Sequence, residues 1–195
     1  VELAHQRRLA ETELRLRRDL VDDLLSGTDD DSALSRSQAL GHDLRPEHQV
    51  AVVRGPRSSG EDALAKAVEQ AVPQVLNTGV LLARRPGGVV LIAPRPAASD
   101  HRRRWTDLHR TVARSLRGAA GAIGVGRACA RPSQLWRSFA EADRALGIRL
   151  RSADPNGVTL YEELGIYRLL ASGEDDEVRR YVREWLGALL DYDAA

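Results

Sequence analysis

Val80-Leu81-Leu82-Ala83-Arg84-Arg85-Pro86-Gly87-Gly88-Val89-Val90-Leu91-Ile92-Ala93 holds two apolar runs on either side of a reversal signal. Pro86 fixes φ, and the following glycine supplies the positive φ that a tight turn needs. The stretch predicts a hairpin of two strands, residues 80–84 and 89–93. Upstream, Leu64, Ala67, Val68, Ala71 and Val75 recur at helical spacing, predicting a helix over 61–76 whose last turn Pro73 bends or ends. Before it, Gln49-Val50-Ala51-Val52-Val53-Arg54 is a β-branched run and reads as the first strand. Downstream, Trp105, Leu108, Val112 and Leu116 share one face of a helix over 100–116, and residues 119–126 form another short strand. The order strand, helix, strand, strand, helix, strand defines an α+β chain with a ferredoxin-like βαββαβ core. Its two crossover helices belong on one face of an antiparallel sheet.

Further elements flank this core. Residues 1–25 are an amphipathic helix with Leu9, Leu16, Leu20 and Leu24 on one stripe, which suits either docking on the domain or a coiled coil with a twin helix. Ser26-Gly27-Thr28 ends it, and Asp29-Asp30-Asp31 favours the positive end of a helix starting near Ser32. After the core come a helix over 132–146, with Leu135, Phe139, Ala142 and Leu146 inward, and an edge strand over 158–160. Two C-terminal helices are expected, over 162–170 and 174–190. The domain reading is a linker helix at 1–27, an α+β domain at 28–161 and a helical extension at 162–195. A chain that begins without Met, and breaks off at Ala195 just after a strong helical pattern, reads as a piece of something longer.

Composition narrows the partners. Lys and Arg number 29 against 28 Asp and Glu, so a net charge of +1 gives no global field to recruit nucleic acid or an anionic membrane. The single cysteine, Cys129, has no disulfide partner within the chain and no neighbour at metal-ligand spacing, which fits a reducing cytoplasm and a buried structural thiol. No apolar run approaches the roughly 20 residues that span a bilayer, and the charged N-terminus is not a signal peptide.

The chemically suggestive clusters are weak. Gly55-Pro56-Arg57-Ser58-Ser59-Gly60 is glycine-containing and basic, but it lacks the Gly-Lys-Ser/Thr ending with which a phosphate-binding loop holds phosphate and magnesium. Ser58 and Ser59 have no nucleophile-elbow setting. His101-Arg102-Arg103-Arg104-Trp105 could grip phosphate, yet Trp105 belongs to the apolar stripe and Asp100 and Asp107 dilute the charge, so a solvated helix face is the preferred reading. His101 and His109 lie too far apart along one helix to share a metal. No catalytic, cofactor-binding or metal-binding residue is assigned.

The hairpin turning on Gly87-Gly88, the run Gly121-Ala122-Ile123-Gly124-Val125-Gly126 and the helix segment Ala140-Glu141-Ala142-Asp143-Arg144-Ala145-Leu146 together resemble the GGDEF nucleotide-cyclase domain over about residues 49–161. Residues 17–27, 39–44 and 157–170 and the ending Leu189-Leu190-Asp191-Tyr192-Asp193 extend the resemblance to transcription regulators of the PucR/CdaR type. That resemblance implies a central degenerate GGDEF-like domain. It also implies a helix-turn-helix beyond the end of this chain, and often a sensory domain ahead of it.

An active cyclase of the GGDEF family holds magnesium with carboxylates at the end of its first strand and in its hairpin signature, because phosphoryl transfer through metals depends on clustered oxygen ligands. Here Arg54 and Gly55 stand at the strand end, and Val89-Val90-Leu91 follows Gly87-Gly88. The product-inhibition motif R-x-x-D, expected near Thr78 and Leu81, is absent. The resemblance therefore implies a non-enzymatic, cytoplasmic regulatory and dimerisation domain that relays or senses a small-molecule signal. Its partners would be a second copy and, where the domain itself senses the signal, an unknown small-molecule effector, with DNA contacted only through the missing domain and no membrane involved. The alternative is a nucleotide-binding or nucleotide-processing domain that keeps the cyclase-like pocket.

Overall fold

The computed structural model describes residues 2–56, 60–76, 79–95, 100–116 and 121–165, with the side chains of the first helix described at Thr12 and from Arg15 onward. Five strands form one mixed sheet: β1 (His48–Arg54), β2 (Leu81–Arg85), β3 (Gly88–Pro94), β4 (Ala122–Val125) and β5 (Gly157–Leu160), in the order β2-β3-β1-β4-β5. The first four pair antiparallel, and β5 joins β4 in parallel at the edge. This is the expected ferredoxin-like core with the expected edge strand. The hairpin register places Arg85 opposite Gly88, so Pro86-Gly87 is the whole loop, and Gly87 has φ +80°. Such a φ suits the second central position of a type II turn, where glycine is favoured.

The helices are α1 (Glu2–Ser26), α2 (Asp30–Ala39), α3 (Glu61–Val75), α4 (His101–Ser115) and α5 (Leu135–Arg151). The crossover helices α3 and α4 share one face of the sheet, where Leu64, Val68, Trp105, Leu108 and Val112 close over Ala51, Val53, Leu91 and Ile123. On the other face, Leu20, Val21 and Leu24 of α1 and Leu135, Ala142 and Leu146 of α5 cover Val50, Val52, Val90 and Ile92. Central β1 is buried on both sides, which is why its apolar run is continuous rather than alternating.

Several boundaries differ from the sequence reading for local reasons. Helix α2 begins at Asp30 rather than near Ser32, because Asp29 is the N-cap and accepts the Ser32 N–H at 2.8 Å. Pro73 sits inside α3, which runs on to Val75. Pro132–Gln134 is a 3-10 turn, and α5 continues beyond Leu146 to Arg151. The expected helix at 162–170 begins instead as a 3-10 turn, Tyr161–Leu164, that stops at Gly165 with φ +51°. The rest of that helix and the one at 174–190 lie outside the described residues.

The end of α1 packs on the sheet. Leu20, Val21, Leu24 and Leu25 are buried, whereas Leu16 is 49% exposed. Arg36 and Asp23 pair across the α1–α2 corner, and Arg85 of the hairpin pairs with Asp22 while lying over the Phe139 ring.

Candidate functional site

The C-terminal end of β1, the β2–β3 turn and the start of α3 meet at one corner of the sheet. Backbone packing there is tight. A Cβ on Gly88 would overlap the Val53 carbonyl, and one on Gly121 would overlap the Arg54 carbonyl, so both neighbours press on the strand end because they are glycines. Arg54 is exposed at that end, with its Nε 4.0 Å from where a Gly87 Cβ would lie. The Gly87 N–H donates to Glu61 Oε1 at 2.8 Å, tying the hairpin tip to the first turn of α3. Asp62, one residue on, faces Arg84, which also holds Glu69.

Glu61 is the residue that sequence reasoning missed. A carboxylate does stand at the hairpin tip, but it arrives from α3 and is spent on a backbone amide. Its signal was visible only as a helix-starting acid. Among the described residues no group of three His, Cys, Asp or Glu side chains converges to hold a metal. The corner thus offers Glu61 engaged on a backbone amide, Asp62 facing Arg84, and the exposed guanidinium of Arg54, a poor cradle for a magnesium-bound triphosphate. Of the neighbouring basic loop, Arg57, Ser58 and Ser59 lie outside the described residues.

The basic run on α4 is only partly the solvated face expected. His101 turns inward: Nε2 lies 2.7 Å from Gln49 Oε1, and Nδ1 lies 3.0 Å from Glu162. Arg102 pairs with Glu163, and Arg104 donates to the Leu76 carbonyl at 2.6 Å, capping the end of α3. Arg103 and Arg110 remain largely in solvent around Asp107, and Trp105 is in the core. His109 contacts the Gly121 carbonyl at 3.0 Å, so the two histidines serve different neighbours.

A second polar cluster, also unanticipated, fastens α5 to the sheet. Buried Glu141 accepts from the Arg127 backbone N–H and Nε, both at 2.9 Å, and from its Nη2. Buried Ser138 accepts the Val50 N–H at 2.9 Å and donates to the Arg127 carbonyl at 2.7 Å. Cβ atoms at Gly124 and Gly126 would overlap the α5 carbonyls of Ala142 and Ser138. Cys129 is half-buried beside this cluster, and burial pushes its thiol up from the ordinary cysteine value, with Glu141 adding to the effect. Such a shift favours the thiol over the thiolate that acts as a nucleophile.

The fold and this corner define a GGDEF-like α+β domain. The GGDEF-like domain family matches residues 26–148, and the chain belongs to that family. Among solved structures it is similar to a regulator of polyketide synthase expression from Bifidobacterium adolescentis, with a TM-score of 0.55 and 16% identity. The match covers 86% of this chain and 66% of that one, so this chain spans just under two thirds of its neighbour, and the likeness is one of fold. No curated protein sequence matches the chain. No described helix is long and apolar enough to cross a membrane.

Proposed function

We propose that this chain is the central regulatory domain of a cytoplasmic transcription regulator of the PucR/CdaR type, without catalytic activity. The observation that carries the reading is the hairpin corner. Where a GGDEF cyclase needs clustered carboxylates, this chain has Arg54 at the strand end, valines after Gly87-Gly88, Glu61 engaged on the Gly87 amide and Asp62 facing Arg84. A guanidinium beside that turn opposes magnesium binding. The regulator-like fold neighbour is consistent with the reading.

In this role residues 28–161 are the signalling domain, residues 1–27 the helix that receives or pairs, and residues 162–195 the path towards a helix-turn-helix. Two chains associate and present their DNA-binding domains at a spacing that an upstream signal or a bound effector alters. The near-zero net charge, which supplies little counterion release, supports a reading in which specific DNA contact is made by another part of the protein.

The test compares the full-length gene product with residues 1–195. Sequence-selective retention of an operator fragment at physiological salt is expected of the first and not of the second. Selective retention by residues 1–195 alone would overturn the assignment of roles.

A further inference from the structure

A cleft of about 520 Å³ opens between the last turn of α5 and the strand β5 with its following turn. Ile148 and Leu164 form its apolar lining, and Arg149, Arg151, Ser152, Thr159 and Glu163 its polar one. The size falls within the range of small-molecule sites, as does the mixture of apolar wall and a few polar groups.

The charges in it are unbalanced. Among the described residues no carboxylate pairs with Arg149 or Arg151, and the carboxylate of Glu163 is taken by Arg102. Arg149 Nε is buried with no hydrogen-bond partner among the described residues, an unfavourable state for a guanidinium nitrogen. The side chain is also held where it is. Its guanidinium lies against Gly157, which has φ +116°, and a Cβ there would overlap Arg149 Nη2. Basic residues in the last turn complement the α5 dipole. That complement needs no fixed guanidinium over a glycine with its Nε out of water.

We infer that this cleft is a binding site for a small organic anion, its carboxylate or phosphate head on Arg149 and Arg151 and its apolar body against Ile148 and Leu164. A guanidinium fork matches planar and tetrahedral oxyanions, and pre-placement against Gly157 lowers the ordering cost of binding. An occupant would touch Glu163 and Leu164 of the 3-10 turn that follows β5.

Titration calorimetry on the intact chain tests this with benzoate, phenyl phosphate and inorganic phosphate as probes, at constant ionic strength. Saturable binding is expected for one or both of the ring-bearing anions. Benzoate alone would identify a carboxylate head, phenyl phosphate alone a phosphate head, and inorganic phosphate is expected to bind more weakly. Arg149→Gln should weaken binding about tenfold or more, with Arg149→Lys intermediate and the variants' circular dichroism unchanged. No saturable binding by either ring-bearing anion, or affinity unchanged in an Arg149→Gln/Arg151→Gln variant, would overturn the site. Because binding is read directly, either result leaves the regulatory reading to its own DNA-retention test.

Discussion

A methyl group at Gly126 would occupy the space of the Ser138 carbonyl, and one at Gly124 that of the Ala142 carbonyl. Helix backbone cannot yield as a flexible side chain can, so Gly126→Ala should cost about 1–3 kcal/mol or more in urea denaturation. Gly60→Ala, with nothing within 4 Å and φ −63°, is the control for steric overlap and should cost less, about 0.5–1 kcal/mol for the weaker N-cap of α3. Removing Glu141 takes away the carboxylate that holds the Arg127 backbone N–H, Nε and Nη2, in a side chain that is 27% exposed. Glu141→Ala should therefore cost roughly 2–3 kcal/mol, somewhat below a fully buried pair. Two histidines predict a pH dependence. Burial, the largest cause for both, holds His42 and His48 below the ordinary value of 6.5; Arg17 and His48 add to the effect at His42, while the Pro46 carbonyl and Asp43 oppose it at His48. Below about pH 6.5 the unfolded chain takes up protons that the fold does not, so this stability is complete above that pH and is lost as the pH falls through it. The urea midpoint should drop between about pH 7.5 and 5.5, and drop less in a His42→Gln/His48→Gln variant. An equal drop in both proteins would remove the histidines from the account.

At the scale of elements, α1 changes character along its length. Leu20 and Leu24 are fully buried against β2 and α5, so either truncated to Ala should cost about 2–5 kcal/mol, whereas Leu16→Ala should change stability by no more than about 0.5 kcal/mol. The leucine stripe was legible in the sequence, but where docking stops was not, because periodicity marks a face and not its partner. Likewise the hairpin, the two crossover helices and β5 were legible, since turn chemistry and spacing are local. The placement of α1, α2 and α5 as a second layer was not, because a helix stripe does not say which side of a sheet it covers. At the hairpin corner, the missing carboxylates could be read from Arg54 and Val89-Val90. Glu61 could not, since its contact with Gly87 spans 26 residues and depends on the crossover. Glu141 and Gln49 were hidden for the same reason: burial of a polar side chain is decided by distant partners.

At the scale of the whole molecule, a sheet covered on both faces supports a regulatory domain whose α1 projects an exposed Leu16. Self-association through that helix is expected, and light scattering at roughly tens of micromolar should report a dimer that weakens when residues 1–14 are removed. That truncation spares the buried leucines, so a monomer in both cases speaks against pairing rather than for unfolding. The proposed loss of cyclase chemistry rests on the corner formed by Arg54, Glu61 and Gly87. Incubation of the purified chain with GTP and magnesium, followed by chromatographic analysis for cyclic dinucleotide, tests it most directly. No product above the protein-free control is expected at any magnesium concentration. Magnesium-dependent product that disappears when Gly87 and Gly88 are replaced would contradict it.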